Sequence, residues 1–219
     1  MKTIRLLIIV LTICSNNCFT QHNNNHSVQN NNDVERERFY WQMPNKLFEE
    51  IGIKEGMVVA DVGSGTGYIT LRLSEKVGIG GKVYASDIDV HAIRLLENSI
   101  SEKGLKNIET IIGTEKNPLL PKAKIDFVIM VNTIHFIDNT KTFFSNITPC
   151  LKPNSTLIIV QWDAEKMDCE LKGWRGPNRE QFTMRTTLKK IYDANYEVIR
   201  IKSFLPMQNI YFCKPRGIN

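Results

Sequence analysis

The stretch Val58-Val59-Ala60-Asp61-Val62-Gly63-Ser64-Gly65-Thr66-Gly67-Tyr68 constrains this chain more than any other. An apolar, valine-rich run bounded by glycines reads as a buried strand. Glycines at its exit let the backbone turn tightly and pass close to a ligand, because no Cβ stands in the way. From Ile69 to Val77 the pattern turns helical, and a helix starting there points its free N–H groups at the same place. Strand, glycine turn and helix together make a cradle for a nucleotide-type ligand at the carboxyl end of the strand. The glycine spacing narrows the choice. In the dinucleotide fingerprint G-x-G-x-x-G the third glycine falls one residue later, and here Tyr68 occupies that place, which counts against a nicotinamide oxidoreductase. No Gly-Lys-Ser/Thr follows, so the turn is not a Walker loop.

The rest of the chain repeats the theme. Lys82 to Asp87 reads as a second strand ending in an acid, twenty residues after Gly67. In a βαβ unit an acid at this place lies beside the ligand's ribose, where a carboxylate accepts from both hydroxyls. Asp89 suits a helix N-cap and His91 to Lys103 a second helix. Asn107 to Ile112 and Ile125 to Val131 read as the third and fourth strands, the latter nearly all apolar as a central parallel strand should be. A helix is expected from Thr140 to Leu151, a stop at Lys152-Pro153-Asn154, a fifth strand from Ser155 to Gln161, an irregular stretch from Ala164 to Asn178 and a helix from Arg179 to Asn195. Two last strands, Tyr196 to Ser203 and Pro206 to Cys213, pair as an antiparallel hairpin. Alternating strands and helices predict one doubly wound, Rossmann-like α/β domain with a seven-stranded, mostly parallel sheet. Ligands of such sheets bind outside the carboxyl ends of the strands. Gly63 to Gly67, Asp87, Thr114, Asn132 to His135 and Asp163 all follow strand ends and should share one rim.

Val-Ala-Asp-Val-Gly-Ser-Gly-Thr-Gly-Tyr, Gly-Lys-Val-Tyr-Ala-Ser-Asp-Ile-Asp, Asn-Ile-Glu-Thr-Ile-Ile-Gly-Thr and Leu-Lys-Pro-Asn occur in that order. This ordered set resembles the class I S-adenosylmethionine (SAM) methyltransferases, and within them the type 11 branch that includes the ubiquinone/menaquinone C-methyltransferases. The likeness runs from about Glu35 to Lys214. It implies SAM as cosubstrate and a small-molecule acceptor, lipid-like or quinone-like. It also implies that Asp61, Ser64 and the backbone of Gly63, Gly65 and Gly67 hold the methionine end, that Asp87 holds the ribose and that Ile88 packs on the adenine. Thr114 would meet the adenine edge, where the family more often has aspartate, and Asn132 would sit by the methionine amino group. His135, a histidine beyond the fourth strand with an ordinary pKa near neutrality, is the candidate general base. It is equally placed to do no more than pack beside the cofactor. Asn132 and Asp163 offer two oxygens with no third acid, too few for magnesium, so no metal is expected. Trp41, Met43, Trp162 and Trp174 read either as an acceptor pocket or as packing. A different class of function, a SAM- or nucleoside-binding protein without turnover, needs the same glycine motif.

The N-terminus departs from this domain. Lys2 and Arg5 precede the apolar run Leu6 to Ile13, which reads as a signal peptide or N-terminal anchor over residues 1–18. The run falls short of the roughly 20 apolar residues that span a bilayer. Cys14 and Cys18 leave lipidation open, so the chain is expected to be exported or membrane-associated, or cytoplasmic if the signal is inert. Residues 19–34, dominated by asparagine, cannot bury apolar surface and read as a disordered linker to the 35–219 domain. Taking Lys2 and Arg5 from the 28 basic residues, against 23 acidic ones, leaves a net charge of +3. That weak and dispersed excess gives no nucleic-acid footprint. Cys150, Cys169 and Cys213 show no disulfide or metal spacing.

Overall fold

The computed structural model describes residues 35–171 and 178–217. The expected leader, the linker and Trp174 lie outside them. Seven strands form one sheet: β1 (Val58–Val62), β2 (Lys82–Asp87), β3 (Ile108–Ile112), β4 (Ile125–Val131), β5 (Leu151–Trp162), β6 (Tyr196–Lys202) and β7 (Gln208–Pro215). Their order is β3-β2-β1-β4-β5-β7-β6. The first five are parallel, and β7 runs antiparallel between β5 and β6. This is the expected architecture, with the order reversing direction between β1 and β4.

The period-2 alternation of strand side chains, with both faces of the sheet covered, explains why the central strands are largely apolar. Ala60, Val62, Val128, Met130, Leu157 and Ile159 point to one face. There they meet Phe143, Phe144 and Ile147 of α5 (Thr140–Ile147) and Ile191 of α7 (Met184–Asp193). Val59, Ile129, Ile158 and Val160 point to the other. They meet Leu47, Phe48 and Ile51 of α2 (Pro44–Ile51) and Ile69, Leu73 and Val77 of α3 (Tyr68–Val77). Beyond β1, α4 (Val90–Glu102) buries Ala92, Ile93 and Leu96, and the Asp89 carboxylate caps it by accepting from the backbone of His91 and Ala92. Two covered faces leave the strand ends as the place where a ligand reaches the sheet.

Four local expectations are corrected. Residues 35–42 are helical (α1), where no helix was read; Met43 at φ 43° ends this turn and Pro44 opens α2. Lys152-Pro153-Asn154 is no stop but the bulged start of β5. Leu151 pairs with Ile125 and Thr156 with Phe127, so extra residues loop out between them, Asn154 among them at φ 67°. Lys152 holds this bulge by donating to both Asp126 oxygens at 2.8 Å, and Asp126 accepts the Val58 N–H at 2.9 Å. Ala164–Glu170 is a helix (α6), because Asp163 caps it through the backbone N–H of Glu165 and Lys166. The expected helix from Arg179 is broken at Thr183, whose hydroxyl caps α7 and leaves Arg179–Phe182 as a 3₁₀ turn. Cys150 and Cys213 are buried in the core.

Gly67 sits at φ 92°, and a Cβ there would come within 2.3 Å of Leu96 Cδ1; Gly52, at φ 88°, has nothing within 4 Å. Gly52→Ala therefore carries backbone strain alone, about 1–2 kcal/mol, and Gly67→Ala carries strain plus overpacking. Urea melts should show the larger loss at Gly67. Equal losses would mean that Leu96 swings aside at no cost.

Candidate cofactor and methyl-transfer site

The exits of β1, β2 and β3 are tied into one rim. Gly63 and Ser64 both donate their backbone N–H to the Ser86 carbonyl, at 2.8 and 3.2 Å, and Gly113 donates to the Asp87 carbonyl at 2.9 Å. Gly67 then begins α3 in a left-handed conformation, and its N–H returns to Ser64 at 3.0 Å. The Asp87 carboxylate accepts the Gly65 N–H at 2.7 Å through one oxygen and the Asp89 N–H at 2.9 Å through the other. The predicted ribose ligand and the predicted glycine turn are thus one unit. Each carboxylate oxygen keeps a lone pair for a hydroxyl. Ile88 beside it is 59% exposed, an apolar surface open to a flat ring.

The glycines are distinct in what they permit. A Cβ on Gly63 would lie 2.2 Å from Thr133 Oγ1, so this glycine lets the β1 exit pack against the β4 exit. A Cβ on Gly65 would meet nothing within 4 Å. Gly65 is the position facing open space.

Asp61 is buried on β1 and accepts from Thr70 Oγ1 at 2.7 Å. Burial pushes its pKa up to about 6, against the hydrogen bond from Thr70; Asp87 adds to the rise and Arg38 opposes it. Arg38 comes from α1, bonds Gln42 Oε1 at 3.0 Å and stacks 4.0 Å from the centre of the Tyr68 ring. At the β4 exit, Asn132 adopts φ 54° and accepts from Gln208 Nε2 at 2.9 Å. Thr70, Arg38, Gln42 and Gln208 were not read as site residues. Gln208 comes from the far hairpin, and only the closed sheet brings it to β4.

Two expected residues behave otherwise than the residue types implied. Thr114 is exposed and closes its own turn, with its hydroxyl accepting the Asn117 N–H at 3.0 Å, so it is engaged locally. His135 lies in a 3₁₀ turn after β4, stacked on Phe136 and edge-on to Phe182. Its Nδ1 is 3.1 Å from Gln161 Nε2 and 3.3 Å from Gln161 Oε1. Burial pushes its pKa down to about 4, with Lys190 adding to the fall and Gln161 opposing it. The imidazole is neutral at neutral pH, and the expected titration in that range is corrected. Lys190 Nζ holds the turn by donating to the carbonyls of Ile134, His135 and Ile137. Asp163 is occupied by the α6 cap and by Asn209 Nδ2 at 2.7 Å. Trp41 and Trp162 pack on each other at 4.6 Å with Met167, Leu171 and Met207, and Met43 packs against the second core.

Several buried polar atoms here have no partner among the described residues: Ser64 Oγ, Tyr68 OH, Gln42 Nε2 and Gln208 Oε1. Leaving such groups unbonded costs about 1–3 kcal/mol each. They sit on the glycine motif, or on residues bonded to Asn132 or Arg38, and they match a ligand with several donors and acceptors. Sheet order, glycine turn and strand-end acid define a nucleoside-binding domain of the class I methyltransferase type.

Comparison with known proteins agrees. Residues 53–199 match the family described as "Methyltransferase domain". A solved structure of a SAM-dependent methyltransferase from Aquifex aeolicus is 30% identical with a TM-score of 0.72, over 80% of this chain and 91% of that one. The demethylmenaquinone methyltransferase of Lactococcus lactis is 27% identical over 53% of this chain and 46% of that protein. A ubiquinone/menaquinone biosynthesis C-methyltransferase from Hydrogenovibrio crunogenus is 26% identical over 51% of this chain and 44% of that protein. The chain spans about half the length of the curated relatives it matches. The chain belongs to the SAM-dependent methyltransferase family.

Asp61 supplies a test of the site's electrostatics. Its carboxyl resists ionisation when folded, so the native state binds more protons than the unfolded chain between the ordinary aspartate value and about 6. Wild-type stability therefore falls as pH rises through that window, and Asp61→Asn removes this loss. In urea melts the variant should gain on the wild type between pH 4 and 7.5, by up to about 3 kcal/mol. A pH-independent difference would show that Asp61 ionises normally.

Proposed function

We propose that the chain transfers a methyl group from SAM to a small, quinone-like acceptor. The observation that carries the cofactor half is the Gly65 cradle with Asp87 bonded to it at 2.7 Å, at the point where the strand order reverses. Bound SAM supplies an activated methyl on a sulfonium. The protein's part is then to position and to exclude water. Asp87 and the Gly65 turn fix the nucleoside, Asp61 and Asn132 face the amino-acid end, and the Gly63–Thr133 contact sets the gap between them. A neutral, weakly basic His135 suits a positioning role beside the cofactor better than proton abstraction.

The acceptor half rests on the quinone enzymes among the relatives and on the chemistry where β5 ends and the antiparallel β7 begins. A cavity of about 360 Å³, lined by Arg36, Glu37, Tyr40, Trp41, Glu170 and Met207, adjoins the Trp41–Trp162 pair. Met207 precedes Gln208, the partner of Asn132. Its size and aromatic walls suit one or two fused rings. Quinone-like acceptors live in bilayers, and the apolar run Leu6 to Ile13 fits a chain exported to, or tethered at, a membrane surface.

Calorimetric titration should give micromolar binding of SAM and of its demethylated product, weakened at least about tenfold in Asp87→Ala through lost ribose bonds and a freed Gly65 turn. Label from methyl-labelled SAM should then appear in a short-chain demethylmenaquinol. Binding without transfer to that acceptor would remove the quinone assignment, and no binding by folded protein would remove the methyltransferase one.

The His135 reading makes its own prediction. Turnover between pH 6 and 8 should show the same profile in the wild type and in His135→Gln, whatever the change in rate. Loss of an inflection near pH 6.5 in the variant would restore the general base.

A further inference from the structure

We propose that Arg38, on the helix ahead of the motif, is the ligand of the cofactor's α-carboxylate, which makes α1 part of the SAM site; this rests on the SAM reading above. The methionine tail of SAM is a zwitterion, and a zwitterion needs a cation and an anion set a few ångströms apart. Arg38, stacked 4.0 Å from the centre of the Tyr68 ring at the end of the glycine motif, is the cation on this side, and Asp61 on β1 is the anion. Each shifts the other's protonation, so their charges are mutually felt. Yet Asp61 spends its bond on Thr70, Arg38 spends its Nε on Gln42, and no ion pair joins them among the described residues. The two terminal nitrogens of Arg38 carry no hydrogen bond among the described residues. A guanidinium fork matches a carboxylate bidentately, which a lysine in the same place would not.

Two further observations point to the same ligand. Gln42 is completely buried, its Oε1 is taken by Arg38, and its Nε2 donor has no partner among the described residues. Tyr68, whose ring carries Arg38 at 4.0 Å, is 6% exposed and its hydroxyl also has no partner among the described residues. Two orphaned donors flank one guanidinium, and a carboxylate would satisfy all three. Arg72 is the built-in control. It stacks on the same ring at 3.8 Å, but its donors go to the Tyr68 carbonyl at 2.9 Å and to Glu35 at 3.5 Å.

SAM and decarboxylated SAM differ only in this carboxylate, and titration of the full chain with each reads the contact directly. The wild type should bind SAM about 10- to 100-fold more tightly than the decarboxylated form. Arg38→Gln should bring that ratio close to one by weakening SAM alone, and Arg72→Gln should leave it unchanged. Thermal melts of Arg38→Gln and Arg38→Lys identify a variant that keeps the native transition, and the ratio is read there. A variant that weakens both ligands equally, or neither, overturns the proposal while the cofactor reading stands. A folded wild type that binds neither ligand overturns both.

Discussion

The bond from the Gly65 N–H to the Asp87 carboxylate is the contact on which the rest of the site depends. It joins two strand exits that the chain separates by a whole helix, and it does so with a charge-assisted bond between a backbone group and a side chain that no rotation of the glycine turn can imitate. Once it is made, the turn is held back from the open space that faces Gly65, and the Asp87 carboxylate is held away from solvent. The two bonds from Gly63 and Ser64 to the Ser86 carbonyl hold the same junction from below. Everything further along the rim inherits its position from this corner: Thr133 from its contact with Gly63, Asn132 from its bond to Val160 on the next strand, and Gln208 from Asn132.

The pattern of polar atoms around that corner is divided. Around Asp87 and Gly65, carboxylates and backbone groups already bond one another. Toward α1 and β7, Ser64, Tyr68, Gln42 and Gln208 each keep a buried atom without a partner among the described residues. Burial raises Asp61 and lowers His135, so both sit in a weakly solvated region where any charged or polar ligand atom is strongly felt. A site of this kind is costly to the fold by itself and gains most from a ligand that arrives with its own opposite charges.

The architecture was legible in the chain because its signals are local. Apolar runs of strand length, glycines at their exits and an acid after β2 place the sheet and the cradle without knowledge of any contact. Asp89 reads as a helix cap from its neighbours alone, and so it is. What failed also has a physical reason. Asp163 has the same capping chemistry, but α6 is short and lacks a strong apolar period, so the stretch reads as irregular. The bulge at Lys152-Pro153-Asn154 depends on a salt bridge to Asp126 on another strand. The low pKa of His135 comes from burial, with Phe182 packed edge-on against the ring, and from Lys190; both partners are distant in sequence, and residue type alone gives the ordinary value. Arg38 and Gln42 lie four apart on a helix that precedes any motif, and nothing in their neighbourhood ties them to Asp61.

The Gly63–Thr133 contact has a consequence for how such a protein can diversify. With a Cβ at one position landing 2.2 Å from the hydroxyl of the other, the β1 and β4 exits are matched to within less than one methyl group. Neither can enlarge by itself, and this junction of the rim is locked in size. Under the proposed reaction, new acceptors must be accommodated by the parts that flank the rim, α1 and α6. Across a set of relatives, then, side-chain volume should be frozen at the strand exits and should drift in those two helices.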